Sequence, residues 1–72
     1  MRLKIENADA FGKIIRKYRK RQSITQSQLA AVSDTGLRFI SDLENGKPTV
    51  QLGKALQTAR MLGITFEISE PE

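Results

Sequence analysis

Apolar residues recur at helical spacing through the middle of this chain and alternate only near its two ends. Phe11, Ile14, Ile15 and Tyr18 stand at i, i+3, i+4 and i+7, which predicts the inner face of a first helix. Asn7 or Asp9 can cap it, and it should end near Gln22, with Ser23 and Ile24 in the connection. Thr25 followed three residues later by Gln28 is a capping box, so a second helix is expected over about 26–33, offering Leu29, Ala30 and Val32 to a core. Asp34-Thr35-Gly36 reads as a turn, and a third helix over about 37–44 would bury Ile40 and Leu43. Asn45-Gly46 stops it, because both tolerate the left-handed backbone of a helix C-terminus. Pro48 keeps Lys47 extended. Thr49 then caps a fourth helix over about 50–62, with Leu52, Ala55, Leu56, Ala59 and Leu62 on one side, and Gly63 ends it.

The pattern changes period at the ends. Ile64, Phe66 and Ile68 alternate with Thr65, Glu67 and Ser69, a short strand of about 64–68. Leu3 and Ile5 alternate more weakly with Arg2, Lys4 and Glu6. A lone strand leaves its backbone groups unpaired. The strand at 64–68 therefore needs a partner, either Leu3–Ile5 of the same chain or its own copy in a second chain.

Composition narrows the class. Seventy-two residues make one small domain with a modest core. There is no cysteine and no histidine, so disulfides, thiolate ligands and the commonest general base are all missing. No apolar run approaches the ~20 residues that span a bilayer. The first six residues lack an apolar signal-peptide core, so a cytoplasmic protein is expected. Net charge is +4, and it is unevenly spread. All 12 bases lie in residues 1–63 with five acids, leaving +7 there, while residues 64–72 hold only acids. That imbalance points to an anionic partner such as a phosphate backbone. The plainer alternative is a solvated surface.

Two short helices joined by a tight turn, TQSQLAAVSDTGLRFISDLENG over 25–46, have the form of a helix-turn-helix, which lays its second helix in the DNA major groove. The stretch KIIRKYRKR just upstream holds six bases and no acid. Arg38 is the first candidate for reading a base, since its fork can grip O6 and N7 of guanine; Asp42, four residues on, can instead pair with it or orient it. Asp42 facing DNA is repelled by phosphate unless it braces Arg38, the favoured role, or accepts from a cytosine amine. Leu37 can touch a thymine methyl or pack between helices. Phe39 is too large for a routine surface position and should pack on the first helix or a dimer face. Gln26, Ser27, Asn45 and Lys47 are phosphate candidates, with a solvated lysine the alternative at Lys47.

TQSQLA and LENGK, set apart by a turn and a reading helix, resemble the XRE class of helix-turn-helix domains, the class of lambdoid repressors and Cro. The resemblance covers about 11–62. The stretch ENGKPTVQLGKALQTARMLGITFEI over 44–68 is similar to HipB-type antitoxins, in which such a helix is followed by a strand that pairs across a dimer. The resemblance implies an all-α, four- to five-helix lambda-repressor-like DNA-binding domain spanning 1–72, with core 11–62 and a short C-terminal strand. It places Gly36, Leu37, Arg38, Ser41 and Asp42 at base-reading positions. Thr25, Gln26, Ser27, Asn45 and Lys47, with Lys17 and Arg21 of the basic helix, fall to the phosphates. Arg19 and Glu44 match a pair that ties the first helix to the end of the third. Ile64, Phe66 and Ile68 match the dimer interface.

Three departures from the family pattern cover four positions. Asp34 stands at the usual turn glycine, Ser23 replaces a frequent glycine before the second helix, and Gly36 and Leu37 replace polar readers. The first is tolerable, because aspartate visits the left-handed region more readily than most residues.

Other chemistry fails on inspection. Gly46-Lys47-Pro48-Thr49 superficially matches the end of a phosphate loop, but that motif needs a glycine where Ser41 stands and Ser or Thr directly after the lysine. No nucleophile, base or metal set is visible, so no enzyme activity, cofactor or metal is expected. The expected function is a dimeric, sequence-specific repressor on a palindromic double-stranded operator. The HipB resemblance further implies an antitoxin that represses its own operon and binds a HipA-like kinase toxin. The alternatives are a stand-alone phage-type or metabolic repressor, and a protein-interaction module whose basic helix docks an acidic partner. A membrane role is disfavoured, because the basic helix needs its apolar face for the core.

Overall fold

The computed structural model describes residues 4–68, which contain four helices and no strand. They are α1 (Ala8–Arg21), α2 (Gln26–Val32), α3 (Leu37–Glu44) and α4 (Leu52–Met61). α3 packs against both α1 and α2, and α2 also meets α4. The core they share consists of Ile15, Leu29, Ala30, Ile40, Leu43, Ala55, Ala59 and Leu62. Phe11, Tyr18, Ile24, Phe39, Val50 and Ile64 close its margins.

The starts of α1 and α2 follow the expected caps. Asn7 Oδ1 accepts from the Ala10 N–H at 2.8 Å. Thr25 Oγ1 accepts from the Gln28 N–H at 3.1 Å, while Gln28 Oε1 accepts from the Thr25 N–H at 2.8 Å. Those reciprocal bonds satisfy two donors that a helix start leaves bare. At α4 the expectation fails. Thr49 does not cap it; residues 48–50 form a turn closed by the Val50 N–H on the Lys47 carbonyl at 3.4 Å, and Gln51 becomes the N-cap without a side-chain bond.

All four helices end in the same way. The residue two past each C-cap donates to a carbonyl five positions back, and the one between donates three positions back. After α1 these are Ile24 to Arg19 and Ser23 to Lys20; after α2, Thr35 to Ala30 and Asp34 to Ala31. After α3 they are Lys47 to Asp42 and Gly46 to Leu43; after α4, Ile64 to Ala59 and Gly63 to Arg60. Each cap forces one left-handed residue. Gly46 and Gly63 supply φ of 79°, and Ser23 and Asp34 take 57° and 55°. The two departures from the family glycines thus lie at helix ends that demand positive φ.

Two expected core residues are on the outside. Val32 is exposed, and Ser33 is buried in its place, because the inward stripe of α2 runs through Leu29, Ala30 and Ser33. Leu52 is 65% exposed at the first turn of α4, where Val50 packs on the core from the preceding turn. The inward face of α4 instead includes Thr58, whose hydroxyl donates to the Lys54 carbonyl at 2.9 Å. Within residues 64–68, Phe66 meets Phe11 of α1 edge-on at 5.7 Å between ring centres. The proposed Leu3 partner for that segment lies outside the described residues.

Candidate nucleic-acid interface

The site is assembled around one buried ion pair. Arg19, near the end of α1, meets Glu44, the last residue of α3, through two bonds: Nε to Oε2 at 2.6 Å and Nη2 to Oε1 at 3.0 Å. Both residues are buried. The guanidinium also donates from Nη1 to the Ile24 carbonyl at 2.9 Å, so one side chain joins α1, the α1–α2 connection and α3. Its hydrogen bond to Glu44 raises its already high pKa, outweighing the opposing effect of burial. The structural role expected for Arg19 and Glu44 is the geometry observed.

Gln26 completes the network. Its Nε2 donates to Glu44 Oε1 at 3.1 Å, which fixes the first residue of α2 against the end of α3. The chain that reads as Thr25, Gln26 and Ser27 in sequence therefore has a set position relative to α3. An open groove of about 660 Å³ runs past these residues, lined by Arg16, Thr25, Gln26, Ser27, Leu37 and Asn45 among others. Arg16 was not among the expected contacts. It stands three residues before Arg19 on the same side of α1, and that spacing was the available signal. Lys17 and Arg21 do not line the groove; the Arg21 guanidinium lies 5.3 Å over the Tyr18 ring.

At the start of α3, Gly36, Leu37 and Arg38 are all exposed, and Leu37 does not pack between helices. Arg38 makes no hydrogen bond or ion pair among the described residues, so its fork is open to a ligand. The brace expected from Asp42 goes elsewhere, since that carboxylate lies 3.5 Å from Lys47 Nζ. Ser41 is half-buried and accepts a long bond, 3.4 Å, from Asn45 Nδ2. Phe39 packs at the core margin. The short α3 is thus held by its buried face and last residue, and presents an exposed first turn with a free arginine. A short helix anchored at its far end, with an exposed first turn that carries an arginine, has the form that enters a major groove.

Among the described residues no cluster of His, Cys, Asp or Glu could hold a metal. No described helix is long and apolar enough to cross a membrane.

Comparison with known proteins agrees with this geometry. The helix-turn-helix family HTH_3 matches residues 15–68. An uncharacterized HTH-type transcriptional regulator, y4mF, of Sinorhizobium fredii (strain NBRC 101917 / NGR234) is 45% identical over 71 residues, covering 99% of this chain and 93% of that protein. Among solved structures, a HipB–O4 20mer complex aligns with a TM-score of 0.86 at 20% identity, over 99% of this chain and 100% of that one. A HipB variant in complex with an O2 20mer aligns with a TM-score of 0.87 at 18% identity, over 100% of both chains. At those identities the likeness to HipB is one of fold.

Proposed function

Because the chain belongs to the helix-turn-helix family HTH_3, we propose that it is a DNA-binding transcriptional repressor that reads its operator as a homodimer. The observation that carries this reading is the exposed first turn of α3, with Arg38 unpaired among the described residues and Leu37 sharing a groove with Thr25, Gln26, Ser27 and Asn45. Its family is one of regulators rather than enzymes. The regulator relative supports the same role.

A homodimer would set two α3 helices into successive major grooves, ~34 Å apart on one face of a palindrome. Ile64, Phe66 and Ile68 are our candidates for its interface. Phe66 is partly exposed, and Ile68 is 95% exposed. Pairing of 64–68 with its own copy would bury that apolar surface and give the segment's backbone groups strand partners together.

The finer reading is that of a HipB-like antitoxin, which represses its own operon and binds a HipA-like kinase toxin. Its support is the fold likeness over nearly the whole chain. A reporter driven by the DNA upstream of the gene tests the regulator. Repression is expected; an unrepressed reporter contradicts it. Co-expression of an adjacent kinase-like gene tests the antitoxin arm. Co-purification supports it, and separate elution leaves a stand-alone repressor.

A further inference from the structure

α3 carries three charged side chains, and their surroundings differ. Glu44 is buried against Arg19. Arg38 is exposed and unpaired among the described residues. Asp42 is turned toward the loop after the helix, where its carboxylate lies 3.5 Å from Lys47 Nζ. A second bond fixes that alignment: the Lys47 N–H donates to the Asp42 carbonyl at 3.0 Å, as part of the cap that ends α3. Lys47 cannot swing its backbone away from Asp42 without opening the cap. The side chains themselves remain partly open, 33% exposed at Asp42 and 52% at Lys47.

Two electrostatic consequences follow on a surface meant for DNA. A carboxylate one turn beyond Arg38 opposes the phosphate backbone of any sequence. A lysine held by that carboxylate contributes little net charge, so it releases fewer counterions when a duplex approaches. Exposed ion pairs are weak and screened, so this arrangement moderates binding without preventing it.

Resting on the DNA-binding reading above, we propose that Asp42 is an electrostatic brake on sequence-independent binding. It occupies the Lys47 ammonium and sets its own charge against the backbone. A lower background leaves Arg38 a larger share of the total discrimination.

The test uses Asp42→Asn, Lys47→Ala and the double variant of the full chain, each checked for an unchanged thermal transition. Binding to a scrambled duplex is measured from about 50 to about 200 mM salt, and elution from immobilised heparin is followed in parallel. Asp42→Asn should tighten scrambled-duplex binding on the order of three- to tenfold at the low-salt end and steepen the log–log salt slope by about 0.9. It should also elute later from heparin. Adding Lys47→Ala should remove the extra slope. An unchanged slope and elution overturn the proposal. So does a loss confined to duplexes with one particular base pair, which would make Asp42 a direct reader of cytosine. Heparin carries no bases, so its elution reads the brake even if the wild-type protein fails to separate operator from scrambled DNA. That last failure would sink the regulator reading alone.

Discussion

Gly12 in α1 faces the backbone of Leu43 in α3 so closely that a β-carbon there would run into the Leu43 carbonyl oxygen and stand 2.9 Å from that of Glu44. The missing side chain is what lets α1 lie directly on α3. In an ordinary helix interior, Gly→Ala stabilises by roughly 0.8–1 kcal/mol. Here the sign reverses. Gly12→Ala should destabilise by about 1–3 kcal/mol, since the obstacle is backbone and cannot rotate aside. Thermal unfolding checks this: a fall in Tm is expected, and a rise would mean that α1 and α3 are further apart than the structure shows.

That contact also shows where sequence reading stops. Helical periodicity located all four helices, the Thr25–Gln28 capping box and most of the core, because each is a local or near-local pattern. The closeness of Gly12 to Leu43 is a relation between distant positions, and periodicity reads glycine only as a weak helix former. Val32 and Leu52 were placed inward because they are apolar, yet the inward stripes pass through Ser33 and Thr58. A stripe's edge depends on how helices cross, which spacing along one helix does not encode. The start of α4 was misplaced because Thr49 has the right chemistry for a cap but lies in a turn of its own. In the site, the Arg19–Glu44 pair was legible through family resemblance. The bond from Gln26 to Glu44 was not, because it joins two helices across 18 positions, and neither was the turn of Asp42 toward Lys47, because side-chain direction chose between Arg38 and Lys47.

Removing Arg19 leaves the Glu44 carboxylate buried and the Ile24 carbonyl without its guanidinium donor; removing Glu44 leaves the Arg19 cation buried and the Gln26 amide short of an acceptor. Arg19→Met or Glu44→Leu should each cost about 3 kcal/mol or more. The double variant should be less damaging than the sum of the two, because hydrophobic replacement of a whole buried pair is often tolerated. Urea denaturation of the three proteins gives the coupling energy; strictly additive losses would mean the two groups do not act as a pair.

Ser23 holds φ at 57° with an ordinary side chain, at a cap where Gly46 and Gly63 serve the same purpose at the ends of α3 and α4. The left-handed conformation costs a non-glycine residue roughly 1–2 kcal/mol. Ser23→Gly should therefore stabilise the domain by up to about 1 kcal/mol after the greater entropy of unfolded glycine is offset. Asp34→Gly should gain less, since aspartate tolerates that region better. A lower denaturation midpoint for Ser23→Gly would contradict the strain argument.

Arg38, on the first turn of α3, is exposed and unpaired among the described residues. Arg38→Ala should relax the preference at a single base pair by about 1–3 kcal/mol, leaving the other positions of the site unchanged. Competition among singly substituted operators resolves this. A uniform loss across all sequences would assign Arg38 to phosphate instead.

The most direct measurement is a titration of the protein against DNA from immediately upstream of its own gene, beside a scrambled duplex of equal length, at about 150 mM salt. A sequence-specific repressor should prefer its own upstream DNA by ~10³ or more. Equal, weak and salt-sensitive binding to both duplexes would contradict that role, and would leave a helix-turn-helix fold serving as an interaction module.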